Sequence, residues 1–275
     1  MSSIVTEKGI LHYETLGRGK PIILLHGWIN SWDVWRDLMI HLADASDGEG
    51  YRVYALDFWG FGLSNNESIE TAFQLDSYVD MVAQFMDKLG IQEAPIFGHS
   101  MGGTVAMKFS IRHPQKVNRV VIVGSPIIGK TLNFFLILSG YNFIANLVWR
   151  FPILRDTVMY ILLAGDQESV RKMLMRDVRK ANMHSFFQSI GDLYKADLCE
   201  ELSANEVPIM GIFGSRDNIV SPKNSELLRK HRPDAQVEMF EKSRHFPMID
   251  EPEKFISLIE TFLRIDAETV DKTNA

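Results

Sequence analysis

Short apolar runs alternate with amphipathic stretches over the first 125 residues. That alternation is the signature of strand–helix–strand units around a mostly parallel sheet. Ile10–Glu14 reads as an early strand. Pro21–Leu25 (PIILL) reads as a central one, because it is apolar throughout and therefore covered on both faces. Val34, Trp35, Leu38, Met39 and Leu42 recur at helical spacing, which predicts a helix over Trp32–Ala43 with Ser31 as its cap. The same reading predicts strands at Tyr51–Leu56, Ala94–Phe97 and Val117–Val123. It predicts helices over Phe73–Leu89 and Met101–His113, the second stopped by Pro114.

The pattern then changes. From Ile127 to about Ser203 there are helical stretches rich in large apolar residues but no convincing strand. Strand character resumes at Val207–Phe213 and again near Gln236–Phe240, with helices over Ser221–Lys230 and Pro252–Arg264. The simplest organisation is one α/β core, residues 1–126 and 204–275, interrupted by an all-helical cap over 127–203. An insertion of roughly 75 residues is too long to be a loop without structure of its own. Within it, Thr131–Trp149 runs for 19 residues without a formal charge, close to the roughly 20 that cross a bilayer. Asn133, Ser139, Gly140, Asn142 and Asn146 interrupt the run, so a buried or pocket-covering helical pair is expected, with no integral span. Peripheral membrane contact stays open.

Composition narrows the class further. Apolar residues make up 46% and charged residues 23%, an ordinary globular balance. The net charge of −6 disfavours nucleic acid as a partner. One cysteine excludes an intrachain disulfide and any Cys-rich metal site. No metal-ligand spacing or phosphate-binding motif is present, so neither a metal nor a cofactor is expected. The opening MSSIVTEKGI has no basic stretch followed by an apolar run, which points to a cytoplasmic protein. Oligomeric state is not legible.

The strongest chemical signal is Gly98-His99-Ser100-Met101-Gly102, set between a predicted buried strand and a helix. In that context a G-x-S-x-G segment forms a sharp turn that lifts the serine hydroxyl above the sheet. A serine is a weak nucleophile and needs a base that is itself oriented by a carboxylate. Asp217, in the loop GSRDNIV, and His245, in the loop EKSRHFPMIDEP, both follow strands and emerge at their C-terminal edge. Sites in open α/β sheets lie at that edge. The other seven histidines read as structural or solvated, His99 because it must point away if Ser100 points in. Asp57, after the strand YRVYAL, is acidic and lies near the same edge. Backbone donors for an oxyanion are expected from Met101, after the serine, and from Trp28, in the His26-Gly27-Trp28 loop.

These residues resemble the α/β-hydrolase fold superfamily, in its capped serine-hydrolase (esterase- and lipase-like) branch. The resemblance rests on HGW at 26–28, LDFWGFGLS at 56–64, GHSMGG at 98–103, GSRDNIV at 214–220 and RHFPMIDEP at 244–252. It implies an eight-stranded, mostly parallel sheet flanked by helices, with the cap inserted after the sixth strand. It also implies Ser100 as nucleophile, Asp217 as acid, His245 as base, and Trp28 and Met101 as oxyanion donors. Serine at the nucleophile position disfavours the dehalogenase and epoxide hydrolase chemistries, which use aspartate there.

The segment 127–203 is rich in Phe, Leu and Met, so the pocket between cap and core should be apolar. Trp28, Phe135, Leu138 and Phe246 are expected to line it. The expected activity is a cofactor-independent hydrolysis of small esters with apolar acyl or alcohol groups. Acylglycerol lipase, lactonase and carbon–carbon bond hydrolase are alternatives on the same fold. A ligand receptor with a vestigial triad is the alternative of another class.

Overall fold

The computed structural model describes residues 2–44, 50–64, 73–133, 151, 153, 156–157, 167–181 and 183–264. Among them is one eight-stranded sheet: β1 Ser2–Thr6, β2 Gly9–Leu16, β3 Lys20–Leu25, β4 Tyr51–Leu56, β5 Ile96–His99, β6 Val120–Val123, β7 Ile209–Gly214 and β8 Gln236–Phe240. Their order across the sheet is β1-β2-β4-β3-β5-β6-β7-β8. β1 and β2 form an antiparallel hairpin, β2 is antiparallel to β4, and every later pairing is parallel.

The strands that read as continuous apolar runs are the ones covered on both faces. Ile22–Leu25, Val120–Val123 and the whole of β7 are buried. The helices that cover them are α1 Arg36–Ala43, α2 Leu75–Leu89, α3 Met101–Arg112, α7 Asn224–His231 and α9 Pro252–Arg264, with a short α8 at Pro247–Asp250. Between them, in the segment joining β6 to β7, lie α4 Glu168–Val178, α5 Met183–Lys195 and α6 Cys199–Ser203. Trp35, Trp59, Tyr78, Phe85, Phe97 and Phe109 are among the bulkiest fully buried side chains.

Three local expectations are corrected. The predicted helix Trp32–Ala43 begins as a 3₁₀ turn over Trp32–Trp35, and only Arg36–Ala43 is α-helical. Ser31 makes no capping bond. Its hydroxyl instead donates to the Asp177 carboxylate at 2.8 Å. The first strand, β1, was not expected, because its two-residue turn Glu7-Lys8 lacks the Asn-Gly or Asp-Gly pair that marks such hairpins.

The segment between β6 and β7 rests on the loops at the C-terminal ends of β3 and β4. Ser185 donates to the Gly60 carbonyl at 2.8 Å, and the Asp192 carboxylate accepts the Leu75 amide at 2.8 Å. Gly129 touches the Leu193 carbonyl so closely that a Cβ there would sit 1.9 Å from it. No helix among the described residues is long and apolar enough to cross a membrane. Most of the uncharged run 131–149 lies outside the described residues.

Candidate active site

Ser100 stands between β5 and α3 at φ 52°, ψ −119°, a conformation that side-chain-bearing residues rarely adopt. The neighbouring glycines make it possible by letting three backbones touch. A Cβ on Gly98 would lie 2.2 Å from the Gly102 carbonyl oxygen, and one on Gly102 would lie 2.4 Å from that of Leu25. Met101 opens α3, where a first-turn N–H has no acceptor within its own helix.

Asp217 and His245 come together as the sequence suggests. Nδ1 of His245 donates to Oδ2 of Asp217 at 2.8 Å. The other oxygen, Oδ1, accepts the amides of Ile219 at 2.8 Å and Val220 at 3.0 Å, so the carboxylate cannot rotate. Gly124 leaves the room for this pair: its Cβ would sit 3.3 Å from His245 Nδ1 and 3.4 Å from Asp217 Oδ2. With Nδ1 protonated, Nε2 is left as a hydrogen-bond acceptor.

His99 joins the serine turn to the histidine loop. Its Nε2–H donates to the main-chain carbonyl of His245 at 2.8 Å, and the two rings lie 4.7 Å apart. Complete burial holds the His99 imidazole well below its ordinary pKa, so it is neutral at physiological pH, and the nearby His245 works in the same direction. Sequence reading placed His99 only as pointing away from the site. Its distance from His245 in the chain hid the link.

The loop after β3 approaches the serine from the other side. A Cβ on Gly27 would lie 3.1 Å from the Ser100 Cβ and 2.7 Å from His99 Nδ1. Asn30 closes the turn by donating its amide to the Gly27 carbonyl at 3.2 Å. Ile29, within that turn, has φ 56°. His26 braces the loop from beneath: Nδ1–H donates to the Gly27 carbonyl at 2.7 Å, and Nε2 accepts the Phe58 amide at 3.0 Å. Burial lowers the His26 pKa, against the opposing pull of Asp57, and keeps the ring in this neutral tautomer. Asp57 itself is fully buried and accepts the Trp32 amide at 2.7 Å, the Leu63 amide at 2.9 Å and His12 Nδ1 at 2.8 Å. It organises loops and does not reach the Asp217–His245 pair through any of these bonds.

Of the four expected pocket residues, two are placed. Trp28 packs against Phe186 of α5 with ring centroids 4.3 Å apart and planes tilted by 48°, and its Nε1–H donates to the Phe186 carbonyl at 2.9 Å. Phe246 is buried, its ring 4.7 Å from His99 and 5.2 Å from His245. Phe135 and Leu138 lie outside the described residues.

Comparison with known proteins agrees with this architecture. A pimeloyl-[acyl-carrier protein] methyl ester esterase from Aeromonas hydrophila is 25% identical over 260 residues, covering 91% of this chain and 98% of the relative. A 2-hydroxymuconate semialdehyde hydrolase from a Pseudomonas species is 28% identical over 261 residues, covering 90% and 88%. The solved structure of an esterase from Exiguobacterium antarcticum superposes with a TM-score of 0.82 at 20% identity, covering 96% of this chain and 99% of that one. The family model described as the alpha/beta hydrolase fold matches residues 20–252, most of the chain and every strand from β3 to β8, and the protein belongs to that family.

Proposed function

We propose that the protein is a serine hydrolase that cleaves carboxylic esters with apolar groups through an acyl-enzyme on Ser100. The observation that carries this reading is the juxtaposition of the φ 52° serine turn with the Asp217–His245 pair, tied together by the His99–His245 bond. In this reading His245 Nε2 takes the Ser100 hydroxyl proton as Oγ attacks the ester carbonyl carbon. The carbonyl π electrons move onto oxygen, where the amides of Trp28 and Met101 receive the negative charge. Collapse of the tetrahedral intermediate breaks the bond to the alkoxy oxygen, which leaves with the proton from His245. A water then gives its proton to His245 and attacks the acyl carbon, and the proton returns to Ser100 as the acid departs. Asp217 holds the tautomer throughout and stabilises the imidazolium.

The segment 127–203 serves as the cap and supplies the apolar wall, in keeping with Phe186 packed against Trp28 at the core boundary. The esterase and methyl ester esterase names among the relatives agree with ester cleavage. The semialdehyde hydrolase relative makes a carbon–carbon bond hydrolase the second reading. A panel of p-nitrophenyl esters from acetyl to long acyl chains, run beside a vinylogous 1,5-diketone, tests both. Ester turnover lost in Ser100→Ala supports the proposal. Turnover of the diketone alone moves it to the second reading, and a panel inert throughout, with ligand binding by thermal shift, points to a receptor.

A further inference from the structure

The loop Trp28–Ser31 is strained and is held from outside the core as well as from within it. Ile29 is β-branched and sits at φ 56°, where its Cβ crowds the backbone. Such a conformation is costly and persists only where its surroundings fix it. Besides the Asn30–Gly27 turn bond within the loop and the Asp57 bond to the Trp32 amide from the core, three bonds reach it from α4 and α5, the helices between β6 and β7. The Trp28 indole donates to the Phe186 carbonyl at 2.9 Å on one side of Ile29. On the other side the Ser31 hydroxyl donates to Asp177 Oδ2 at 2.8 Å. Asp33, two residues further on, accepts Arg176 at 2.8 Å, and Arg176 also donates to Asp177 Oδ1 at 2.8 Å. Asp177 is 1% exposed, so its carboxylate is committed to these two partners and has no solvent alternative.

We propose that Asp177 and Ser31 are positioning residues for the oxyanion site: the inserted helices hold the strained loop that presents the Trp28 amide to Ser100. This rests on the serine-hydrolase reading above and adds a part to it. The cap then does more than shape a pocket. It completes the electrostatic half of the catalytic apparatus, and a core without it would carry the Asp217–His245 pair but a relaxed oxyanion loop.

The experiment uses the full chain and a substrate too small to need the apolar wall, p-nitrophenyl acetate, with methyl trifluoromethyl ketone as a mimic of the tetrahedral oxyanion. In Ser31→Ala and Asp177→Asn, kcat should fall by about 10- to 100-fold, as for a displaced donor, with KM within about threefold of wild type. Affinity for the ketone should fall by the same factor as kcat. Glu168→Gln, which alters only an exposed α4 carboxylate paired with Lys172, should change neither. A kcat for folded Ser31→Ala within about twofold of wild type, or a loss confined to KM with ketone affinity intact, overturns the inference and leaves the bonds as docking contacts. If Asp177→Asn does not fold, Ser31→Ala, which leaves the Asp177–Arg176 pair whole, decides alone. A wild-type protein that neither cleaves the acetate nor binds the ketone overturns the serine-hydrolase reading and this inference with it.

Discussion

Ser100 is held where a glycine would be at ease, and this gives a test that separates chemistry from stability. Ser100→Ala should lower ester kcat by roughly 10⁴-fold or more while the circular dichroism spectrum is unchanged. Ser100→Gly should be equally inactive yet more stable, by about 1 kcal/mol in urea unfolding, because it relieves the φ 52° strain. A Ser100→Gly variant less stable than Ser100→Ala would show that the turn is not strained. The two buried aspartates should part company in the same way. Asp217→Asn removes the acceptor that fixes the His245 tautomer and should lower kcat on the order of 10⁴-fold. Asp57→Asn should mainly lower Tm, since its carboxylate serves the Trp32 and Leu63 amides and His12. An inactive, folded Asp57→Asn beside an active Asp217→Asn would exchange their roles.

At the level of elements, the contact between α4 and the loop after β3 should be sensitive to acid. Burial alone would raise the Asp33 pKa, but hydrogen bonds from Arg176 and Arg36 overcome it and hold the carboxyl below its usual value. A depressed carboxylate contributes stability above its unfolded pKa of about 3.9 and loses it as pH falls through the lower folded value. The Tm gap between wild type and Asp33→Asn should therefore be present at pH 7 and shrink below about pH 4. A gap independent of pH would mean that the ion pairs with Arg176 and Arg36 contribute nothing. These contacts also mark where sequence reading stopped. The strand PIILL was legible because an unbroken apolar run of strand length, bounded by turn residues, fits a strand covered on both faces, and the serine turn because its glycines admit few other conformations. Ser31 was read as a cap because serine before a helical pattern usually caps it, and its true partner, Asp177, lies 146 positions away. Likewise, nothing local to His99 announces a bond to the His245 carbonyl. Periodicity speaks for neighbours along the chain and is silent about partners brought together by the fold.

For the whole molecule, the proposed division of labour between cap and core has a substrate signature. Each further methylene buried in the apolar wall is worth about 0.8 kcal/mol, up to roughly fourfold in kcat/KM. Activity should climb from acetyl to a medium acyl chain and then fall, and Phe135→Ala or Leu138→Ala should move that optimum without removing Ser100 reactivity towards a small fluorophosphonate. A flat profile, or an optimum that no cap substitution shifts, would make the apolar residues packing alone. The direct pairing of β6 with β7 has a consequence for how the chain finds this structure. Val120 lies beside Ile209, although the segment that carries α4, α5 and α6 separates them in sequence. Closing a connection of about 90 residues costs about 2 kcal/mol more entropy than closing one of ten. β5 joins β6 and β7 joins β8 through much shorter crossovers, and prior pairing of β4 with β3 leaves only about 40 residues to close before β5 can join β3. The seam between β6 and β7 should therefore be the last part of the sheet to zip during refolding, with its amides the latest to gain protection in pulsed hydrogen exchange. Until that seam closes, Ser100 on one side and Asp217 and His245 on the other belong to two halves of an unfinished sheet, and activity should return only in the slowest refolding phase.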